Sequence, residues 1–244
     1  MESQRRLRSA NWACLIWVTI ALALIACDSE DGETATETDI VMPGIDPFCE
    51  TRPKIEFCED FDTRDLPGAF DEQRVDASTM TLDSDEASSA PRSLLITAEP
   101  GGHAQLRHSF EPGGKLRLFG MLYVPELGEG DVKIAAFELG DYRIGFGVSE
   151  DGSLWGYEGD QRIDGSGSIP VGRWASFRWD VNVYDDGTGT AKLRFGFDTF
   201  VDAELTAPVG FNDSPITSIG LFEATGDWTI QLDTITVAVT EASP

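Results

Sequence analysis

The strongest constraint on the fold is the regular alternation of apolar and polar residues between Arg173 and Val183. Every second residue is apolar, namely Ala175, Phe177, Trp179, Val181 and Val183. Because successive side chains of a β-strand point to opposite sides, this period of two predicts a strand with one buried face. Residues 192–198 repeat the alternation after an Asp- and Gly-rich segment at 185–189, which is typical of a hairpin turn.

Other segments carry strand patterns as well. Residues 142–148 and 154–157 flank an Asp151-Gly152 turn and predict a second hairpin. Residues 116–124 and 132–139 are apolar on both faces, which predicts central strands covered on each side.

The last strand, which includes Trp228 and Val239, changes parity at Asp233-Thr234. This change predicts a β-bulge or a bend there, with Asp233 as a bulge residue or a buried carboxylate. About a dozen strands and no amphipathic helix predict an all-β antiparallel sandwich of two sheets, of the jelly-roll kind, over residues 53–244.

The charge balance excludes some partners. The 244 residues include 43 Asp and Glu against 18 Lys and Arg, a formal net charge of −25. Nucleic acid is not expected as a partner, because phosphate binding needs a basic face. Docking by charge onto an anionic lipid surface is disfavoured for the same reason.

The N-terminus has the pattern of an export signal. Arg5, Arg6 and Arg8 precede an apolar run over residues 12–26 that is short for a membrane span. Its end, Leu24-Ile25-Ala26-Cys27, resembles a bacterial lipobox. The resemblance implies removal of residues 1–26, acylation of Cys27 and a lipid anchor in the bacterial cell envelope, on the periplasmic or the outer side. An ordinary secretory signal and an uncleaved anchor are the alternatives.

Residues 27–52 are acidic, rich in Thr and poor in apolar residues, which predicts an extended flexible tether. Cys49 and Cys58 would be the remaining cysteines once Cys27 is acylated and Cys14 is removed with the signal. An even pair in an exported protein predicts a disulfide. A two-cysteine metal site is the rival, and no histidine lies near it in sequence.

Several segments together resemble the concanavalin A-like lectin/glucanase superfamily, in particular LamG-like jelly rolls of bacterial lipoproteins. They are Phe57-Cys58-Glu59-Asp60-Phe61-Asp62, the hairpin of residues 144–157, Pro170-Val171-Gly172-Arg173-Trp174, and residues 228–237. The resemblance implies two stacked antiparallel sheets with ligands in a concave groove or at the loop rim. The superfamily contains lectins, glycosidases, lyases and adhesion modules, so the fold by itself sets no function.

Catalytic motifs of this superfamily are incomplete in the sequence. The Glu-x-Asp-x-x-Glu pattern of laminarinase-like members lacks its third acid after Glu129 and again after Glu158. Glu138 and Glu223 remain a candidate pair if they meet across a sheet. Lyases of this fold usually combine His, Tyr, Arg and Gln on the concave face, and none of their signatures is found. No nucleophile-elbow motif occurs either.

Binding residues are better candidates. Trp155 and Tyr157 have the opposite parity to Leu154 and glycine neighbours, which predicts rings open for stacking on sugars; the alternative is packing between layers. Tyr142 and Arg143 on the partner strand would complete the patch. His108 shares a face with Leu106 and Phe110, so it points into the sandwich, to its rim, or at a ligand.

Calcium is a further possibility that the resemblance implies. The candidate ligands are hard oxygen donors of acidic turns: Glu129, Asp131, Asp185, Asp186, Asp213 and Asp227. Their spacing matches no known loop, and solvated turns are the alternative.

The resulting hypothesis is a lipid-anchored exported jelly-roll protein that binds a glycan or another surface polymer without catalysis. A polysaccharide-active glycosidase or lyase of the same fold is the first alternative. A structural envelope protein that binds only protein partners is the second.

Overall fold

The computed structural model describes residues 48, 49, 56–184, 188–205 and 214–241. These residues form strands and turns and contain no helix, in agreement with the predicted all-β fold. Consequently none of the described segments is a helix of the length and apolarity that crossing a membrane requires. The predicted signal peptide with Cys27, and the predicted tether apart from Phe48 and Cys49, lie outside the described residues.

Thirteen strands run from residue 57 to residue 240. They are β1 (Phe57–Glu59), β2 (Glu72–Asp83), β3 (Ser93–Ser109), β4 (Lys115–Tyr123), β5 (Val132–Leu139), β6 (Tyr142–Val148), β7 (Ser153–Glu158), β8 (Gln161–Ser168), β9 (Ala175–Val183), β10 (Gly189–Phe195), β11 (Asp198–Leu205), β12 (Ile216–Phe222) and β13 (Trp228–Thr240). All pairs between these strands are antiparallel.

The strands form one folded-over sheet in the order β11-β10-β9-β4-β13-β3-β12-β5-β6-β7-β8, with β1 paired to β13 and β2 to β3. The two halves stack, because the ring of Phe146 on β6 lies 5.4 Å from that of Phe177 on β9 and 6.4 Å from that of Phe195 on β10. A single large apolar core fills the space between them. This is the predicted jelly-roll sandwich.

The alternation that predicted β9 follows burial closely. Phe177, Trp179, Val181 and Val183 are at most 1% exposed, whereas the residues between them face outward. The predicted irregularity of β13 is confirmed, since its register against β4 shifts between Asp233 and Thr236. Asp233 is fully buried and accepts hydrogen bonds from the main-chain N–H groups of Ser88 and Ser89.

The expectation that β4 is covered on both faces is wrong. Its inward residues Leu116, Leu118 and Leu122 are buried, but Phe119 and Met121 on the other face are only half-buried. Apolar residues on both faces of β4 therefore leave an apolar strip on the outer surface of the sandwich.

The predicted disulfide is present. Cys49 and Cys58 are joined with a Cα–Cα distance of 5.5 Å, and the main-chain N–H of Cys49 donates to Asp60 at 2.9 Å. Because Cys58 lies on β1, which pairs with β13, the bond attaches Cys49 to a strand of the sandwich.

Candidate functional site

The outer side of the β3-β12-β5-β6-β7-β8 half-sheet carries a connected set of charged side chains, which we call the charged face. Alternation places these side chains opposite the core, because their neighbours in sequence are buried. Arg107, for example, follows the buried Leu106, and Arg143 precedes the buried Ile144. The connected set consists of Glu72, Arg107, Lys133, Glu138, Arg143 and Glu223, with the hydroxyl of Ser218 bound to Glu138. Arg162 lies on the same face and pairs with Asp131.

Arg107 and Glu138 form the centre of the network. The guanidinium donates to Glu138 Oε2 at 2.6 Å and to Glu72 Oε2 at 2.9 Å. The hydroxyl of Ser218 donates to Glu138 Oε1 at 2.6 Å, so Glu138 has a partner on each oxygen. The Arg107 and Glu138 side chains are only 11% and 12% exposed, which makes this the least hydrated ion pair of the face.

The network continues to the outer edge through Arg143. Its guanidinium lies 3.6 Å from Glu138 Oε1 and donates to Glu223 Oε1 at 3.3 Å. The ammonium of Lys133 donates to the other oxygen of Glu223. Glu138 and Glu223, the candidate catalytic pair, are thus joined through one guanidinium and do not contact each other. Carboxylates, guanidinium and ammonium groups alternate across the neighbouring strands.

Trp155 and Tyr157 lie on this face, as their parity opposite Leu154 predicts, but they are buried. Trp155 is 6% and Tyr157 is 2% exposed, and the two rings form a separate small apolar cluster with Ala136 and Phe222. The expectation that both rings are open for stacking is therefore wrong. Two cations cover them, with Lys133 Nζ 4.6 Å from the centre of the Tyr157 ring and the Arg162 guanidinium carbon 4.6 Å from that of Trp155.

Glycines on the neighbouring strand explain the burial. Gly145 pairs with Tyr157 and Gly147 with Trp155 across β6 and β7. A Cβ atom at either glycine would overlap the aromatic ring of its partner. The rings therefore lie flat on glycine backbone, low enough for Lys133 and Arg162 to close over them.

Tyr142 and Arg143 both border one cavity at the end of β6, but as adjacent strand residues they point to opposite sides. Arg143 belongs to the charged face, whereas Tyr142 packs against the main core and its hydroxyl donates to Glu158. Burial and that hydrogen bond raise the pKa of Tyr142 above its usual value.

His108 is a rim histidine. Its ring packs 4.5 Å from that of Phe57 and 4.7 Å from that of Phe110, and its Nδ1 lies 3.2 Å from Asp71 Oδ1. It points away from Arg107 and the charged face, because the two residues are consecutive on β3.

Three of the six candidate calcium ligands, Glu129, Asp131 and Asp227, are among the described residues. In the part of the chain that the structure describes, no group of three or more His, Cys, Asp or Glu side chains is arranged to hold a metal ion. Asp131 instead forms an ion pair with Arg162 at 2.6 Å. Asp185, Asp186 and Asp213 lie outside the described residues, and Glu129 and Asp227 are exposed turn residues.

A cavity of about 310 Å³ opens at the edge of the charged face. Its polar lining consists of Lys133, Glu138, Asp141, Tyr142, Arg143, Asp160 and Glu223. Arg143 is 39% and Glu223 is 53% exposed, so the outer end of the network is accessible to a ligand.

Glu138, Arg143 and Glu223 of this site were predicted from the sequence, whereas the cations Arg107, Lys133 and Arg162 were not. A signal for Arg107 was available, because the buried Ala104 and Leu106 place His103, Gln105 and Arg107 together on the opposite side of β3. The sequence contained no signal for Lys133, and it predicted Glu223 only as a carboxylate that could meet Glu138 across a sheet. A bulge follows Lys133 in its pairing with β6, and Glu223 has a left-handed φ of 54°, and both redirect side chains in ways that alternation does not show.

No protein-family model matches the sequence, and no curated protein is significantly similar to it. Solved structures do share the fold. The endo-β-1,4-glucuronan lyase from the fungus Trichoderma reesei has a TM-score of 0.60 at 17% identity, covering 76% of this chain and 96% of that chain. "Cellulose induced protein, Cip1" has a TM-score of 0.56 at 15% identity, with 78% and 100% covered.

The marine PL-14 alginate lyase from Aplysia kurodai has a TM-score of 0.56 at 13% identity, covering 76% of this chain and 99% of that chain. At such low identities the likeness concerns the fold and extends to no residue of the site. This chain is a β-jelly-roll sandwich of the architecture that these proteins share.

Proposed function

We propose that the charged face binds a glycan and that the protein is a non-catalytic binding module of the bacterial cell envelope. The observation that carries the proposal is the alternating series Glu72, Arg107, Glu138, Arg143, Glu223 and Lys133 across adjacent strands. Sugar hydroxyls both donate and accept hydrogen bonds, so they match a surface on which cationic donors alternate with carboxylate acceptors. The adjoining cavity of about 310 Å³ is at the lower end of the usual size of ligand pockets.

The ion pairs favour binding over turnover. A glycosidase needs one carboxyl group as a general acid and a second as base or nucleophile. Here both candidate carboxylates are occupied, because Glu138 accepts from Arg107 and Ser218 and Glu223 accepts from Lys133 and Arg143.

Tyr157 is equally poorly placed as the base of an elimination reaction. Its hydroxyl is directed to the main-chain oxygen of Ala135 at 3.4 Å, below Lys133. Burial raises the pKa of Tyr157 well above its usual value, so the phenolate that would abstract a proton is disfavoured.

The first ligands to test are acidic polysaccharides. Two of the similar structures are described as lyases of glucuronan and of alginate, both of which are polymers of uronic acids. Guanidinium groups bind carboxylates well, and Arg143 is the exposed guanidinium at the cavity.

The decisive experiment is a glycan array probed with the full chain in mild detergent, with and without calcium, in which bound protein and released sugar are both measured. Arg143→Gln should weaken binding about tenfold, the usual effect of losing one hydrogen bond from a charged donor. Arg173→Gln is the matched control, because Arg173 is an exposed arginine in the loop before β9. Equal binding by both variants would refute the proposed site.

A polysaccharide lyase of the same fold is the second candidate, and one observation favours it. His103, Gln105 and Arg107 share one side of β3, and the half-sheet to which they belong also carries Tyr157. These are the residue types that the superfamily resemblance associates with lyases. An unsaturated uronate product, detected by its ultraviolet absorbance, would establish this alternative and exclude the non-catalytic proposal. No binding to any glycan would favour a structural role with protein partners.

The lipid anchor is part of the proposal. Acylation of Cys27 would fix the chain to a bilayer, and the acidic tether would hold the sandwich away from it. Cys27→Ser should release a soluble form of the protein. Full retention in the membrane fraction would refute the lipoprotein assignment.

A further inference from the structure

The opposite side of the sandwich carries a second polar surface, unrelated to the charged face. Alternation directs the side chains of β4, β9, β10 and β11 that are not in the core to this outer side. Its cations are Lys115, Arg117, Arg178, Lys192 and Arg194, and its carboxylates are Asp180, Asp202 and Glu204. Among the described outward-facing residues of these four strands, five cations stand against three carboxylates, a local excess of positive charge on a chain of net charge −25. We call this surface the basic face.

Two arginines on the basic face are placed unfavourably for the folded chain. The register of β9 against β10 sets Arg178 directly opposite Arg194. Like charges directly opposite each other on neighbouring strands are destabilising. Asp180 compensates Arg178 but not Arg194. Its Oδ2 lies 2.7 Å from Arg178 Nε, and its Oδ1 lies 2.7 Å from Arg117 Nε.

Arg194 has no salt-bridge partner among the described residues, whereas the neighbouring Lys192 is paired with Asp202 at 2.6 Å. Two guanidinium groups on adjacent strands form a site for a planar or tetrahedral anion, because each can donate two parallel hydrogen bonds to it. A cavity of about 300 Å³ lies between Arg117, Arg178, Asp180, Lys192, Arg194 and Asp202.

An apolar strip continues from the arginines along β4. Phe119 is directly opposite Arg178, and Met121 follows on the same side. Tyr123 and Trp174 extend the strip, with ring centres 5.5 Å apart. The indole N–H of Trp174 finds no acceptor among the described residues. Rings beside guanidinium groups suit a sugar chain, because the sugar face stacks on the rings and an acidic substituent reaches the arginines.

We infer that the basic face is a second ligand-binding surface, specific for an acidic glycan segment that places a carboxylate or sulfate between Arg178 and Arg194. Nucleic acid and anionic bilayers fit less well. Their charge extends over a large area, so it would meet the acidic remainder of the chain. A short glycan segment contacts the basic face alone.

The test uses the full chain in mild detergent and titration calorimetry with oligoglucuronate, with neutral cello-oligosaccharides as the ligand control. Because Arg194 has no salt-bridge partner in the described part of the chain, Arg194→Gln should weaken the second binding event about tenfold and leave Tm equal or higher. Lower affinity with undiminished stability is the signature of a residue retained for a ligand. Arg143→Gln serves as the matched variant on the charged face, and should leave this second event unchanged.

Several results would overturn the inference: unchanged oligoglucuronate binding by Arg194→Gln, a lower Tm of that variant, or an equal loss of neutral oligosaccharide binding. Binding of DNA or of phosphatidylglycerol vesicles that depends on Arg194 would overturn the ligand class. The two faces are separable, because loss of binding only in Arg143→Gln refutes the basic face and supports the charged face. Loss of binding only in Arg194→Gln refutes the charged face and supports the basic face.

Discussion

The guanidinium of Arg162 lies over the indole of Trp155, with 4.6 Å between its central carbon and the ring centre. Asp131 and Ser149 hold it there by accepting hydrogen bonds at 2.6 and 2.8 Å. An aromatic ring that would stack on a sugar is thus covered by a cation that is itself 42% exposed. Binding to Trp155 requires that Arg162 move.

Arg162→Ala should uncover Trp155. We expect a red shift of tryptophan emission and stronger acrylamide quenching, with a stability loss of about 0.5–1 kcal/mol, the usual strength of an exposed cation–π contact. The difference should vanish in a Trp155→Phe background, which isolates this indole from the others. An unchanged emission spectrum would mean that other groups cover the ring.

Gly147→Ala should destabilise the fold by about 1–3 kcal/mol, because the added methyl group overlaps both the Trp155 ring and the main-chain oxygen of Val132. Gly156→Ala on β7 is the control, since its Cβ would lie 3.1 Å from Val201 Cγ1 and 3.6 Å from Gly145 O and Ile163 Cβ, without overlapping any ring. Urea unfolding compares the two variants. Equal losses would contradict the explanation of why the rings lie flat.

Arg107→Met should cost about 2–3 kcal/mol, because it leaves Glu138 poorly hydrated and short of a cationic partner. The double variant with Glu138→Met should lose much less than the sum of the single variants. Arg74→Met is the control, since Arg74 and Glu72 are 45% and 44% exposed and solvent screens such a pair, so its loss should change stability little. Additive losses in urea unfolding would show that the central pair is not coupled.

Asp62 should make the protein less stable as the pH rises from about 4 to about 6. Burial raises its pKa from 3.8 to about 6, so the folded state holds the proton across a window in which the unfolded chain has released it. The folded form is therefore favoured at the acidic end and loses this advantage once Asp62 must ionise.

Asp62→Asn should remove that slope and stabilise the protein at pH 7 by about 1–3 kcal/mol. The control is Asp65→Asn at an exposed position. Thermal unfolding at pH 4 and at pH 7 measures the difference, and parallel profiles of wild type and Asp62→Asn would disprove it.

Replacement of Cys49 and Cys58 by Ser should lower the free energy of unfolding by about 2–3 kcal/mol, the loop-closure entropy of a bond that spans nine positions. The reduced wild-type protein should lose the same amount in chemical denaturation. A clearly larger loss in the double variant would show that the serines disturb β1 beyond the missing bond.

The sequence predicts the strands well and the site poorly, for a physical reason. Alternation within one strand reports which side is buried, so β9 and the opposite parity of Trp155 and Leu154 could be predicted. The exposure of Trp155 depends on what lies beside and above it. Gly147 and Arg162 decide that exposure from neighbouring strands, and no single-strand pattern contains them.

The cysteine pair could be predicted for the opposite reason, because it needs no geometry. The prediction rested on the expectation of export, under which two remaining cysteines pair with each other, and the structure joins them. The charged face could be predicted only in part. The shared side of His103, Gln105 and Arg107 follows from alternation on β3, but the ion pair of Arg107 with Glu138 depends on pairing with the distant β12 and β5.

Strand β13 has a consequence for the order in which the molecule assembles. It lies between β3 and β4 and also holds β1, so the two halves of the sandwich are joined through residues made after all the other strands. A nascent chain that has not reached Trp228 lacks the strand on which this closure depends. Folding must therefore follow synthesis of nearly the whole chain and proceed through contacts between distant segments, which makes it slow.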